Sequence, residues 1–138
     1  MRWISLVVLL WSMVSVGCSE TEDDNGCVEN LDLECSPLYE PIFSEIHQQT
    51  LVPSCALAGG SCHSSQGAKG GLVLEEEQGA YEALVDNADR VKPGDPACSG
   101  LVVRLESSSN SFVMPPGSPL SEAERCVLRQ WIAAGANP

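Results

Sequence analysis

A chain of 138 residues, 43% hydrophobic but only 5% aromatic, has room for one domain with a modest core. A core of that size usually needs support from disulfides, a metal or a cofactor, and seven cysteines are present to give it. Nineteen acidic against seven basic residues leave a net charge of −12, which repels phosphate backbones and argues against a nucleic-acid partner.

The chain opens with one positive charge, Arg2, and an apolar run from Trp3 to Val16. That run is too short for a spanning helix, which needs about 20 apolar residues, and suits a secretory signal. Gly17-Cys18 followed by an acidic stretch resembles a bacterial lipoprotein signal, with Ser15 where leucine is usual. The resemblance implies that residues 1–17 are removed and that Cys18 is lipidated. It also implies an exported protein, periplasmic or on the outer membrane or cell surface, held to the membrane by its acyl chains. An ordinary signal peptide cleaved near the same point is the alternative. Six cysteines then remain, and an even number in an oxidising compartment suggests pairs.

Residues 18–38 are acidic and lack apolar periodicity, so they read as a flexible tether. A docking surface for a basic partner is the other reading. Cys27 and Cys35 lie in this stretch and are placed to close a small loop. The domain proper occupies 39–138. Ile42, Phe43, Ile46 and Leu51 mark a first helix from about Pro41 to Thr50, stopped by Pro53. Glycines and serines make 59–71 loop-like, and Leu72 and Leu74 form an extended anchor into the core. Ala80, Tyr81, Leu84 and Val85 repeat at helical spacing. Asp95 and Pro96 suit the N-cap and first turn of a third helix with Leu101, Val102 and Leu105 on its apolar face. A polar loop, Ser107 to Ser111, leads into the proline-stiffened "FVMPPGSPL". Ser121 and Glu124 form a capping-box pattern for a last helix. Its stripe is Val127, Leu128, Trp131 and Ile132, and Gly135 is its C-terminal cap. Cys98 and Cys126 sit near the starts of the third and last helices, and a disulfide joins them if those starts meet. The sum is an all-α fold of about four short helices with long loops, supported by disulfides.

The chemistry concentrates in "SCALAGGSCH", where Cys55 and Cys62-His63 are separated by six residues. C-x-x-C-H attaches a c-type haem because one helical turn puts two sulfurs and an imidazole on one side. With six intervening residues, Ala56 to Ser61 must loop outward and return Cys55, and Gly59-Gly60 gives the flexibility to do so. A Cys55–Cys62 disulfide closing that loop is the alternative. Met114, between Val113 and two prolines, is the candidate for a second axial ligand, since Met1 and Met13 fall in the signal. His47 is its rival. A zinc site on Cys55, Cys62 and His63 lacks the tight spacing and the fourth ligand such sites have. Nothing resembles a nucleophile elbow.

The segments "LVPSC…CH", "KGGLVL", "AYEALV", "VKPGDPACSGLVVRLE", "VMPPGSPLSEAE" and "LRQWIAAGA" resemble, in this order, the small cytochrome c-like domains of planctomycete and myxobacterial surface proteins. The resemblance runs from about Ile42 to Asn137, and the gap between the cysteines is longer here than in that family. It implies a cytochrome c-like fold, haem c held by thioethers at Cys55 and Cys62, and iron bound by His63 and Met114. Full axial occupation implies an electron carrier working with a redox partner protein rather than a catalyst. A haem-free, disulfide-stabilised lipoprotein that keeps the fold, with a binding or structural role at the cell surface, is the competing reading.

Overall fold

The computed structural model describes residues 26–109 and 111–138. The signal, Cys18 and the first part of the acidic stretch lie outside the described residues. Four α-helices and no strands are found among those described: α1 (Phe43–Ile46), α2 (Glu77–Val85), α3 (Gly100–Glu106) and α4 (Glu122–Ala133). The all-α expectation of four short helices with long loops holds. No described helix is long and apolar enough to cross a membrane.

The last helix is built as its sequence predicts. Ser121 accepts from the Glu124 amide at 3.3 Å, and the Glu124 carboxylate accepts from the Ser121 amide at 2.8 Å. Val127, Leu128, Trp131 and Ile132 are all buried in the core. At the other end Gly135, at φ +104°, lets its own amide reach Ile132 O (3.0 Å) and that of Ala136 reach Trp131 O (2.9 Å). These two bonds satisfy carbonyls that a helix end leaves open. Trp131 meets Phe43 of α1 at 5.3 Å between ring centroids, and Phe43 meets Tyr81 of α2 edge-on at 5.1 Å. One aromatic cluster thus ties three helices around Ile46, Leu84, Val102 and Leu128.

The first helix departs from expectation. It does not stop before Pro53 but widens after Ile46 into a π-helix, His47–Cys55, that carries Pro53 inside it. An α-helix would drive the proline ring into the carbonyl four residues back. Bonds spanning five residues, as from Ala56 N to Leu51 O at 2.9 Å, relax that clash. The wide helix therefore delivers Cys55 at its last position.

The third helix starts later than predicted, at Gly100. Asp95 does cap, but it caps an isolated turn: its Oδ1 accepts from the Cys98 amide at 3.2 Å. The chain then turns extended at Ser99, so that the Leu101 amide reaches Arg90 O at 2.9 Å. Only glycine fits at position 100, because a Cβ there would strike the Asp89 carbonyl oxygen.

The acidic stretch also differs from the expected flexible tether. From residue 26 onward it is fastened to the helices. Cys27 bonds to Cys98 and Cys35 to Cys126, across sequence separations of 71 and 91 residues. The expected pairing of Cys27 with Cys35 and of Cys98 with Cys126 is thereby corrected. Nearness in sequence suggested the local loop, whereas the segment runs along the domain and meets both helix approaches. Val28 donates to Ala97 O (2.8 Å), Leu38 to Ala123 O (3.1 Å), and Gln130 Nε2 donates to Leu33 O and Cys35 O (3.0 Å each). Val28 and Leu31 add apolar contact with the core. Beside this strap, Glu106 at the end of α3 accepts ion pairs from Arg125 (3.2 Å) and Arg129 (3.3 Å) of α4. Arg129 also pairs with Glu122 and holds its carboxyl below the usual range.

Candidate functional site

Cys55, Cys62, His63 and Met114 line one cavity of about 360 Å³. That volume falls in the range of small-molecule and cofactor pockets, about 300–1,000 Å³. Leu51, Leu72, Leu74, Leu84, Leu101 and Leu105 make its walls largely apolar.

The six residues between the cysteines are accommodated by an outward turn. Ala56 stays buried, Leu57 is 65% exposed at the tip, and the Gly60 amide returns to Leu57 O at 2.7 Å. The His63 amide then donates to Cys55 O at 3.1 Å. In a compact C-x-x-C-H the histidine lies four residues after the first cysteine, so an α-turn would make that same bond. Four extra residues are looped out, and the bond between histidine amide and first cysteine carbonyl is kept. Ser64, fully buried, pins the turn by donating to Gly60 O at 2.5 Å and accepting from the Gly67 amide at 3.3 Å. Position 67 requires glycine: a Cβ would stand 2.6 Å from Cys62 O.

The imidazole is oriented from behind. His63 Nδ1 lies 3.3 Å from Leu72 O, and since a carbonyl only accepts, the proton sits on Nδ1. Nε2 is left with the lone pair, the tautomer a metal ligand needs, and this pattern of support is usual for ligating histidines. The extended anchor expected at Leu72 and Leu74 supplies that carbonyl, and the Leu74 amide bonds His63 O at 2.8 Å. His47 is engaged elsewhere. It is buried beside Phe43, its Nε2 donates to Leu74 O at 3.1 Å, and it does not line the cavity. On the opposite side of the chain order, the Met114 amide bonds Arg104 O of α3 at 3.1 Å, which brings the methionine to the cavity.

Cys55 and Cys62 carry free thiols, so the expected alternative of a disulfide between them is not what the structure has. Burial, with the nearby Cys62 sulfur adding to it, pushes the Cys55 thiol up to about 11. Cys62 is exposed. No group of three or more His, Cys, Asp or Glu side chains able to hold a metal ion occurs among the described residues. One imidazole and one thioether suffice only where a macrocycle supplies the other donors.

Residues 60–118 match the sequence model of a family described as Planctomycete cytochrome C. The match supports a planctomycete-type cytochrome c-like domain over those residues, less than half of the chain. The match begins at Gly60, past the outward turn, and includes Cys62, His63 and Met114 but not Cys55. No curated protein and no solved structure matches the chain. Three residues that line the cavity carry no motif signal in the sequence reading: Lys69, Arg90 and Arg104. Their signal was scarcity, since an acidic chain holds only seven cations, but only the fold shows that three of them line one cavity.

Proposed function

We propose that this is a membrane-anchored electron-transfer protein that holds one haem c in the cavity, with thioethers at Cys55 and Cys62 and axial ligation by His63 and Met114. The observation that carries the reading is the bond from the His63 amide to Cys55 O, which keeps the backbone closure of a compact attachment motif despite four extra residues. Haem bound there supplies a reversible one-electron couple. His63 is set to ligate by the Leu72 carbonyl that fixes its proton on Nδ1. Met114 is positioned by its amide bond to α3, between Val113 and two prolines. A histidine and a methionine holding the iron together would raise its reduction potential, and leucines line the cavity around them. His63 and Met114 would both hold the iron, which suits a carrier working between partner proteins better than a catalyst. Lipidation of Cys18 would place it at the membrane surface of an exported compartment.

The test is intact mass and absorbance of the protein made in a strain competent for cytochrome c maturation. The expected result is a haem-sized adduct that survives denaturation and a low-spin spectrum that Met114→Ala abolishes while leaving the adduct. A protein with no adduct and no Soret band, in which reduction opens three disulfides rather than two, overturns the proposal in favour of the haem-free lipoprotein.

A further inference from the structure

Arg90 spends its guanidinium on backbone carbonyls. Nη1 donates to Ala83 O near the end of α2 at 2.8 Å, and Nη2 donates to Gly70 O and Gly71 O at 3.1 and 3.3 Å. The ion pairs among the described residues belong to Arg125 and Arg129. The main chain of Arg90 is itself fixed: its amide bonds Asn87 O at 2.8 Å, and its carbonyl accepts from the Leu101 amide of α3 at 2.9 Å. The side chain therefore reaches from an anchored stem between two helices to a turn earlier in the chain. That turn needs holding. Ala68, Gly70 and Gly71 have φ of +41°, +66° and +65°, a region that costs alanine and that glycine enters freely. Adjacent glycines have many other conformations open, so their own sequence does not fix them. The amides at the start of the turn are tied to the haem-motif segment, Ala68 to Ser64 O (2.8 Å) and Lys69 to Cys62 O (2.9 Å). Arg90 takes the carbonyls at its end, through charge-assisted bonds. The next carbonyl along, Leu72 O, is the one that keeps the His63 proton on Nδ1. Beyond it the Leu74 amide is tied to His63 O at 2.8 Å. Before it the tie is Arg90.

We infer that Arg90 is a positioning residue for His63: by holding the Gly70-Gly71 turn it sets the Leu72 carbonyl behind the imidazole and so fixes the tautomer and orientation of the ring. Its use in ligation rests on the reading of His63 as a haem ligand, but the effect on the ring precedes any haem. His47 supplies a contrast within the same segment. Its Nε2 donates to Leu74 O, beyond the tie to His63, and it is buried beside Phe43. Loss of Arg90 loosens one histidine and spares the other, which a general weakening of the fold does not do.

The test starts with the full chain exported without the maturation machinery, so that no haem is attached. Nitrogen-15 spectra of its two histidines are recorded at about pH 8, above the ordinary titration range of the side chain. Wild type shows His63 protonated on Nδ1 and His47 on Nε2. Arg90→Gln turns His63 into a mixture of tautomers and leaves His47 unchanged. In the same variant the Gly71 and Leu72 amides exchange with solvent roughly tenfold faster. Arg90→Lys, one ammonium in place of a fork, recovers part of both effects. In the haem-loaded protein Arg90→Gln keeps the adduct and has a higher reduction potential, because a histidine without its acceptor is a weaker base toward ferric iron. A His63 that stays protonated on Nδ1 in Arg90→Gln, or a His47 that changes in step with it, overturns the inference and leaves the haem site standing. Absence of a haem adduct in wild type overturns the haem reading, and the His63 tautomers still decide for or against the brace.

Discussion

Two sets of cysteines in one chain have opposite states. Cys27, Cys35, Cys98 and Cys126 are bridged, with Cα separations of 4.2 and 5.9 Å, and they bind the N-terminal strap to the approaches of α3 and α4. Cys55 and Cys62 remain thiols, on either side of an outward turn, beside an imidazole whose tautomer is set. The first set closes long loops of the backbone, which is how a small core gains stability. The second sits on a cavity wall. Cysteine count alone cannot separate these roles; what surrounds each sulfur does.

The sharpest way to break the comparison is to remove each set in turn. Cys55→Ser with Cys62→Ser abolishes covalent haem entirely, read as loss of the adduct in intact mass, while the thermal transition of the protein without haem changes little. Cys35→Ser with Cys126→Ser does the reverse. Haem attachment persists, and stability falls by about 2–5 kcal/mol, because a bridge closing a loop of 91 residues no longer restricts the unfolded chain. Denaturant unfolding of the two double variants side by side measures the contrast. A haem yield that collapses with the Cys35–Cys126 bridge would show that the two sets are not independent.

A smaller effect distinguishes the two thiols from each other. Burial and the neighbouring sulfur raise Cys55 to about 11, so at pH 8 it is almost wholly protonated and a poor nucleophile. Alkylation of the protein made without haem should therefore label exposed Cys62 first. Labelling of Cys55 should rise with pH up to about 11, since each step toward that value increases its thiolate fraction. Peptide mapping after timed iodoacetamide treatment reads the order, and labelling of Cys55 ahead of Cys62 at pH 8 would contradict the buried placement of Cys55.

How much of this was legible in the sequence follows from the range of each signal. The last helix was readable because its cap, stripe and terminal glycine act within a turn of where they stand. Asp95 was read as starting a helix because its capping bond is equally local; that the turn fails to propagate depends on Gly100 meeting the backbone at Asp89. Pro53 was read as a stop because the rule assumes an α-helix, and a π-helix relaxes it. The disulfide pairing was not readable, because partners 71 and 91 residues apart leave no local trace. At the site, the residue types and the need for an outward loop were visible in "SCALAGGSCH". The retained bond between His63 and Cys55, the carbonyl behind the imidazole and the basic residues lining the cavity were not, since each depends on segments that only folding brings together.

The bridge at Cys27 has a mechanical consequence. If acyl chains hold the protein at Cys18, nine residues separate that anchor from the bridge at Cys27, a reach of at most roughly 30 Å. A leash running free to residue 39 would allow roughly 70 Å. On that anchoring the clamp more than halves the distance the domain could reach from the bilayer, which would favour partners seated in the same leaflet over those diffusing farther out.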